Sequence, residues 1–202
     1  MKKLSLTFDD GPHPVHTPAI LDILARHKVP ATFFPIGEHV FFYPDIVKQA
    51  ERAGHRCENH TWHHLDMRGR DWPELEKEIG GWGKYFRPPG GQYDEGVLSY
   101  LELYGIKLAL WDADGFSHIP GITADGICAA VDDQITSGGE DGYGAGSGII
   151  LLHDGDSASP NGNRWATVEA TDRIITKYKA HGYEFVSLDQ MTLPGTPRRT
   201  SL

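Results

Sequence analysis

Short apolar runs that suit strands alternate along the chain with longer stretches patterned for helices, and this constrains the fold most. Strand-like runs lie near residues 3–8, 31–36, 55–59, 106–111, 148–152 and 183–187. Helix-like stretches lie between them. TPAILDILARHK (17–28) places Ile20, Ile23, Leu24 and His27 on one face. PDIVKQAERAG (44–54) starts with Pro and ends with Gly, a common helix frame. Residues 94–105, 123–135 and 167–182 continue the pattern. Such alternation predicts an α/β fold, a parallel sheet or barrel with helices outside. The chain has 202 residues, enough for one domain with its own core. No linker to a second domain is visible. A single domain is expected over 1–192, with 193–202 as an exposed tail. SGGEDGYGAGSG (137–148) reads as a mobile surface loop.

The net charge of −9 argues against nucleic acid and anionic membranes as partners. No apolar run approaches the ~20 residues of a membrane span. MKKLSLTFDD lacks the apolar stretch of a signal peptide. The chain is expected in the cytoplasm if Met1 is the native start, and outside it if a leader was removed. Cys57 and Cys128 form no CxxC pair and read as two packed thiols.

Several strand-like runs end in polar clusters. Residues 4–8 lead to Asp9-Asp10, GHRCEN to HTWHH, LALW to Asp112-Ala113-Asp114, and GIILL to His153-Asp154. The shorter KYF leads to Arg87-Pro88-Pro89. In a β/α barrel the C-terminal strand ends share the face that carries the active site. These clusters are therefore expected to converge. His60 and His64, four apart, suit one metal ion if they share a helical turn. One of the adjacent aspartates would supply a third, anionic ligand. The other is then free to act as a base, oriented by an arginine. His153 has the titration range of a general acid. Each element also has a plain structural reading: Asp9-Asp10-Gly11-Pro12 suits a tight turn, His153 a capping histidine, and Arg87 an ion pair on a rigid turn. Their joint occurrence in order favours a site.

The set resembles the polysaccharide deacetylases, the NodB-homology domain of carbohydrate esterase family 4. TFDDGP (7–12), HTWHH (60–64), RPPGG (87–91) and LLH (151–153) are similar to its motifs, and ATFFPIG (31–37) to the strand after its first helix. The likeness spans residues 3–190. It implies a distorted (β/α) barrel of the NodB type and metal-dependent removal of N-acetyl groups from an amino-sugar substrate. Asp10, His60 and His64 would hold one divalent ion, Zn2+ foremost, with Co2+ or another transition ion as alternatives. Asp9 would be the base, Arg87 its partner and His153 the acid. A backbone donor near Gly90 would face the oxyanion, and Trp111 and Leu151 would line the acetyl pocket.

Three departures stand out. Gly90 occupies a place often held by Tyr in the family. Ser117 and His118 stand where an Asp-Trp pair is frequent, which leaves Asp112, Asp114 or His118 as candidates to support the acid. The stretch from His64 to Arg87 is short, so a helix there is expected to be trimmed. His63 competes with His64 as a ligand on proximity, and the family spacing favours His64. The expected substrates are N-acetylglucosamine glycans of the chitooligosaccharide or peptidoglycan type. A small acylated metabolite or glycolipid is the alternative, and a glycan-binding module without activity a third possibility. The sequence leaves the oligomeric state open.

Overall fold

The computed structural model describes residues 2–137, 148–159 and 162–193. The loop expected over 137–148 and the tail expected over 193–202 lie almost wholly outside these residues. β1 (Lys3–Asp9) is central and entirely parallel to its neighbours. It pairs with β2 (Ala31–Phe34) on one side and β7 (Gly148–His153) on the other. β3 (Arg56–Cys57) extends the sheet beyond β2, and β6 (Ala113–Asp114) extends it beyond β7. β8 (Glu184–Phe185) meets the start of β1.

A second parallel pair, β4 (Tyr85–Phe86) and β5 (Lys107–Leu108), joins the first sheet through a bridge between Asn59 and Phe86. Residues 109–112 then carry the chain from β5 to β6, back beside β7. The strands thus form a ring with an irregular seam, the distorted barrel that the sequence resemblance implies.

Helices cover the outside. α1 (His16–His27), α6 (Ala124–Ser137) and α7 (Trp165–Ala180) pack on the main sheet. α2 (Gly37–Phe42) and α3 (Pro44–Arg52) follow β2. α4 (Trp72–Glu78) and α5 (Glu95–Tyr104) flank β4 and β5. α4 is the short helix between His64 and Arg87, started by a capping box of Asp71 and Glu74. α5 is capped by Asp94, whose side chain accepts the Val97 N–H at 3.0 Å, and ends at Gly105 with φ 65°.

Side-chain alternation divides the core. Leu4, Leu6 and Phe8 of β1 join Ile150 and Leu152 of β7 in the apolar cluster under α1, α6 and α7. Ser5, Thr7 and Asp9 take the opposite face, into the barrel. There Phe34, Tyr85, Ala109, Ile149 and Leu188 form a separate apolar plug. Leu188 lies on a 3₁₀ turn, Leu188–Gln190, whose Asp189 pairs with Arg56, Lys84 and the Tyr85 hydroxyl. That turn closes the lower end. The upper end stays open, and register brings Asp9 level with Phe34 and His153.

Cys57 and Cys128 are separate free thiols packed against the main core. Burial pushes the Cys57 thiol up to about 12.

Close backbone approach at the open rim needs glycine. A Cβ on Gly155 would lie 2.0 Å from the Asp10 carbonyl oxygen. Gly155→Ala is therefore expected to lose about 1–3 kcal/mol of stability through overpacking, measurable by urea unfolding.

Candidate metal centre and active site

Asp10 follows the last residue of β1 and adopts φ 69°. This left-handed turn swings its carboxylate toward the loop after β3, which carries His60 and His64. Asp10 Oδ1 lies 3.4 Å from His60 Nε2 and 3.2 Å from His64 Nε2. Asp10 and His60 are buried, and the three ligand atoms lie within 4.8 Å of one another.

The donor set fits a metal ion. His60 Nδ1 donates to the Arg87 carbonyl at 2.7 Å, so Nε2 keeps its lone pair for the centre. Asp10 Oδ1 is buried without a hydrogen-bond donor, although both Nε2 atoms are close. Such an atom is satisfied by a cation among the three groups.

His60 and His64 do not lie on a helical turn. They bracket a loop in which Thr61 has φ 67° and His64 φ 58°. His63 points elsewhere: its Nδ1 donates to Glu78 Oε1 at 2.7 Å.

Electrostatics bind the group together. Burial by itself would raise the Asp10 carboxyl, but contact with His60 and the charges of His60, His153 and His64 hold it well below the usual range. His60 moves the opposite way: burial lowers it, and Asp9 and Asp10 outweigh burial to raise it. Burial leaves His64 lowered, despite Asp10.

Asp9 sits beside this centre, its Oδ2 3.7 Å from His60 Nε2. Its Oδ1 accepts from Arg87 Nη1 at 2.7 Å. Arg87 is fully buried inside the barrel. The same Nη1 donates to Thr7 Oγ1, Nε donates to the Ala109 carbonyl at 3.0 Å, and Nη2 donates to that of Leu110 at 3.3 Å. The guanidinium lies over the Phe34 ring at 4.2 Å. Burial lowers the Arg87 pKa, and the Asp9 charge opposes the shift.

A cavity of about 370 Å³ opens above these groups. His153 faces it, as do Gly90, Trp111, Leu151, Asp114 and His118. Trp111 packs on Gly91, where a Cβ would come within 2.9 Å of the indole. Phe116, half exposed with φ 51°, stands at the rim.

Ser117 is the group that meets His153. Its Oγ accepts the His153 backbone N–H at 2.7 Å and lies 3.2 Å from Nδ1. Asp112 instead accepts the Ile149 N–H at 2.7 Å, and Asp114 that of Phe116 at 2.6 Å. The His118 ring lies 4.9 Å from that of His153, edge to face. Burial pushes His153 down to about 4.

A profile of the polysaccharide deacetylases matches residues 1–109. The chain is 32% identical over 200 residues to a peptidoglycan-N-acetylglucosamine deacetylase of Bacillus cereus, covering 94% of this chain and 88% of the relative. It is 33% identical over 204 residues to a chitooligosaccharide deacetylase of Sinorhizobium fredii, with 92% and 89% covered. The chain belongs to the polysaccharide deacetylase family. Among solved structures, a family 4 acetyl xylan esterase from Clostridium thermocellum, in complex with a cobalt ion, superposes with a TM-score of 0.78 at 30% identity, covering 94% of this chain and 89% of its own length.

Sequence reasoning missed Asp154, fully buried behind the Asp10 turn. Its Oδ2 accepts from Thr17 Oγ1 at 2.5 Å, and its N–H donates to the Asp9 carbonyl. Its position after a candidate acid in LLHDG was the only signal. Burial pushes its pKa up to about 7, against the Thr17 hydrogen bond and with help from Asp10 and Asp9. The unfolded chain releases this proton near 3.8, so between pH 4 and 7 unfolding is favoured as pH rises. Asp154→Asn removes this contribution. The variant should gain stability relative to wild type as pH rises from 4 to 7, and then hold a constant difference, in urea titrations across that range.

Proposed function

We propose that the protein is a metal-dependent hydrolase that removes N-acetyl groups from N-acetylglucosamine-containing glycans. One observation carries the reading: a three-ligand centre of Asp10, His60 and His64 at a cavity floor, beside an aspartate held by a buried arginine. The named relatives act on peptidoglycan N-acetylglucosamine and chitooligosaccharides, which supports this substrate class.

Asp10, His60 and His64 would hold the ion. Two imidazoles and one carboxylate suit Zn2+, and the cobalt-bound relative supports Co2+ as a substitute. When bound, the ion polarises the amide carbonyl and lowers the pKa of water toward ~7.

Asp9 is the general base. Arg87 fixes one carboxylate oxygen through a hydrogen bond, which leaves Oδ2 to receive the proton of the attacking water. The backbone turn at Gly90 borders the cavity where the oxyanion would form, and one such donor contributes roughly 3 kcal/mol. Trp111 and Leu151 wall the acetyl group. His153 gives the leaving nitrogen its proton. Ser117 contacts Nδ1 and so turns Nε2 toward the cavity. His153 is pushed down to about 4, so the proton it passes to the leaving nitrogen is the one that Asp9 takes from the attacking water, and negative charge developing in the transition state raises its affinity for that proton. His118 stands at the cavity side of this imidazole as a further polar neighbour.

The test is acetate release from a short N-acetylglucosamine oligomer, after chelation and re-addition of zinc or cobalt. Release should require the metal, and Asp9→Asn should lower kcat about 10²–10⁴-fold with metal binding retained. Wild-type protein that binds metal but releases no acetate would shift the reading to a small acylated metabolite or glycolipid.

A further inference from the structure

The loop between the two metal histidines is held in a conformation that its residues disfavour. Thr61 and His64 both have positive φ, at 67° and 58°. Non-glycine residues in this region are strained and persist only when their surroundings fix them. The hydrogen bonds around the loop show what fixes it.

The last residue of α4 makes the greater part of the grip. Glu78 is buried, and its carboxylate accepts two bonds from His63: the backbone N–H at 2.9 Å and Nδ1–H at 2.7 Å. The Glu78 backbone carbonyl accepts the Trp62 N–H at 2.7 Å. The remaining interior N–H, that of Thr61, donates to Asn59 Oδ1 at 2.9 Å. From the other side, Gly37 and Glu38 of α2 donate to the carbonyls of Thr61 and Trp62. Every interior N–H between His60 and His64 is thus held, two of the three by Glu78.

We propose that Glu78 is a positioning residue of the metal centre: its carboxylate captures His63, next to the Trp62 N–H that its backbone carbonyl holds, and so sets His60 and His64 to meet Asp10. The proposal rests on Asp10, His60 and His64 being the ligands. It also gives His63 a role, as the handle by which the loop is held. A carboxylate suits the task, because its two oxygens accept the two His63 donors at once. Glutamine can accept the backbone N–H with its oxygen and donate its amide to Nδ1 if the imidazole shifts its proton to Nε2. Alanine can do neither.

The experiment measures Co2+ affinity by competition with a chelating indicator, the visible spectrum of bound Co2+, and the thermal unfolding of metal-free protein. Wild type, Glu78→Ala, Glu78→Gln and His63→Ala are compared. Glu78→Ala should weaken Co2+ binding about 10–100-fold and alter the spectrum. Glu78→Gln should recover most of the affinity, and His63→Ala should lose less than Glu78→Ala. A folded Glu78→Ala protein with a lower melting temperature but wild-type affinity and spectrum would overturn the proposal, since Glu78 would then only support α4. If Glu78→Ala does not fold, His63→Ala decides: undiminished affinity in that variant overturns the proposal. Wild type that takes up no Co2+ would instead defeat the assignment of the metal ligands.

Discussion

A guanidinium buried at the centre of a barrel sets the terms for the rest of this structure. Arg87 has no access to water, so each of its donors must find an acceptor inside the protein. It finds Asp9, Thr7, Ala109 and Leu110. The inward face of β1 is polar for this reason, while its outward face is aliphatic and aromatic. Desolvating such a pair is costly, and removing one partner typically costs 3–5 kcal/mol. What the protein gains is a carboxylate fixed in place beside the candidate metal site, its second oxygen 3.7 Å from His60 Nε2.

The same economy of position appears in the turns. Asp10, Thr61 and His64 all adopt left-handed backbone, and each contributes to or adjoins the ligand set. Regular strands would send adjacent side chains to opposite faces. The turns bring ligands from two strand ends to one point. Gly155 and Gly11 allow the β7 end to press against the Asp10 turn, with Asp154 filling the space behind it. The centre is therefore supported by packing from below and by hydrogen bonds from α2 and α4 at the side.

The long elements were legible in the sequence because burial on one face leaves a period. β1, β7, α1 and α7 fall close to the expected runs. β4 and β6, two residues each, are too short to show a period, and their role came only from the register around the ring. α4 was hidden because WPELEKE is mostly polar and buries only Leu75 and Glu78; Asp71 and Glu74 were its local signal. At the site, residue types and order pointed to Asp9, Asp10, His60, His64, Arg87 and His153, and the fold brings five of these to one cavity with Arg87 buried inside the barrel against Asp9. Spacing alone suggested a helical turn for the histidine pair, whereas the loop is shaped by contacts from the adjacent Asn59 and from Glu78, which lies farther along the chain. The partner of His153 was also illegible, since a serine carries no signature of pairing with an imidazole until the fold sets it there.

The proline after Arg87 explains how the barrel makes room for a buried cation. Parallel pairing between β4 and β5 sets Phe86 opposite Leu108, so an extension by two residues would set residue 88 opposite residue 110, and Ala109 donates its N–H to the Phe86 carbonyl. Continued regularly, the ladder would have the Ala109 carbonyl accept the N–H of residue 88. Pro88 has none. The vacancy in the ladder leaves that oxygen free, and Arg87 Nε occupies it. The missing proton of one residue thus becomes the docking point for the charge of its neighbour, and a fault in the sheet serves as the socket for the side chain that orients Asp9.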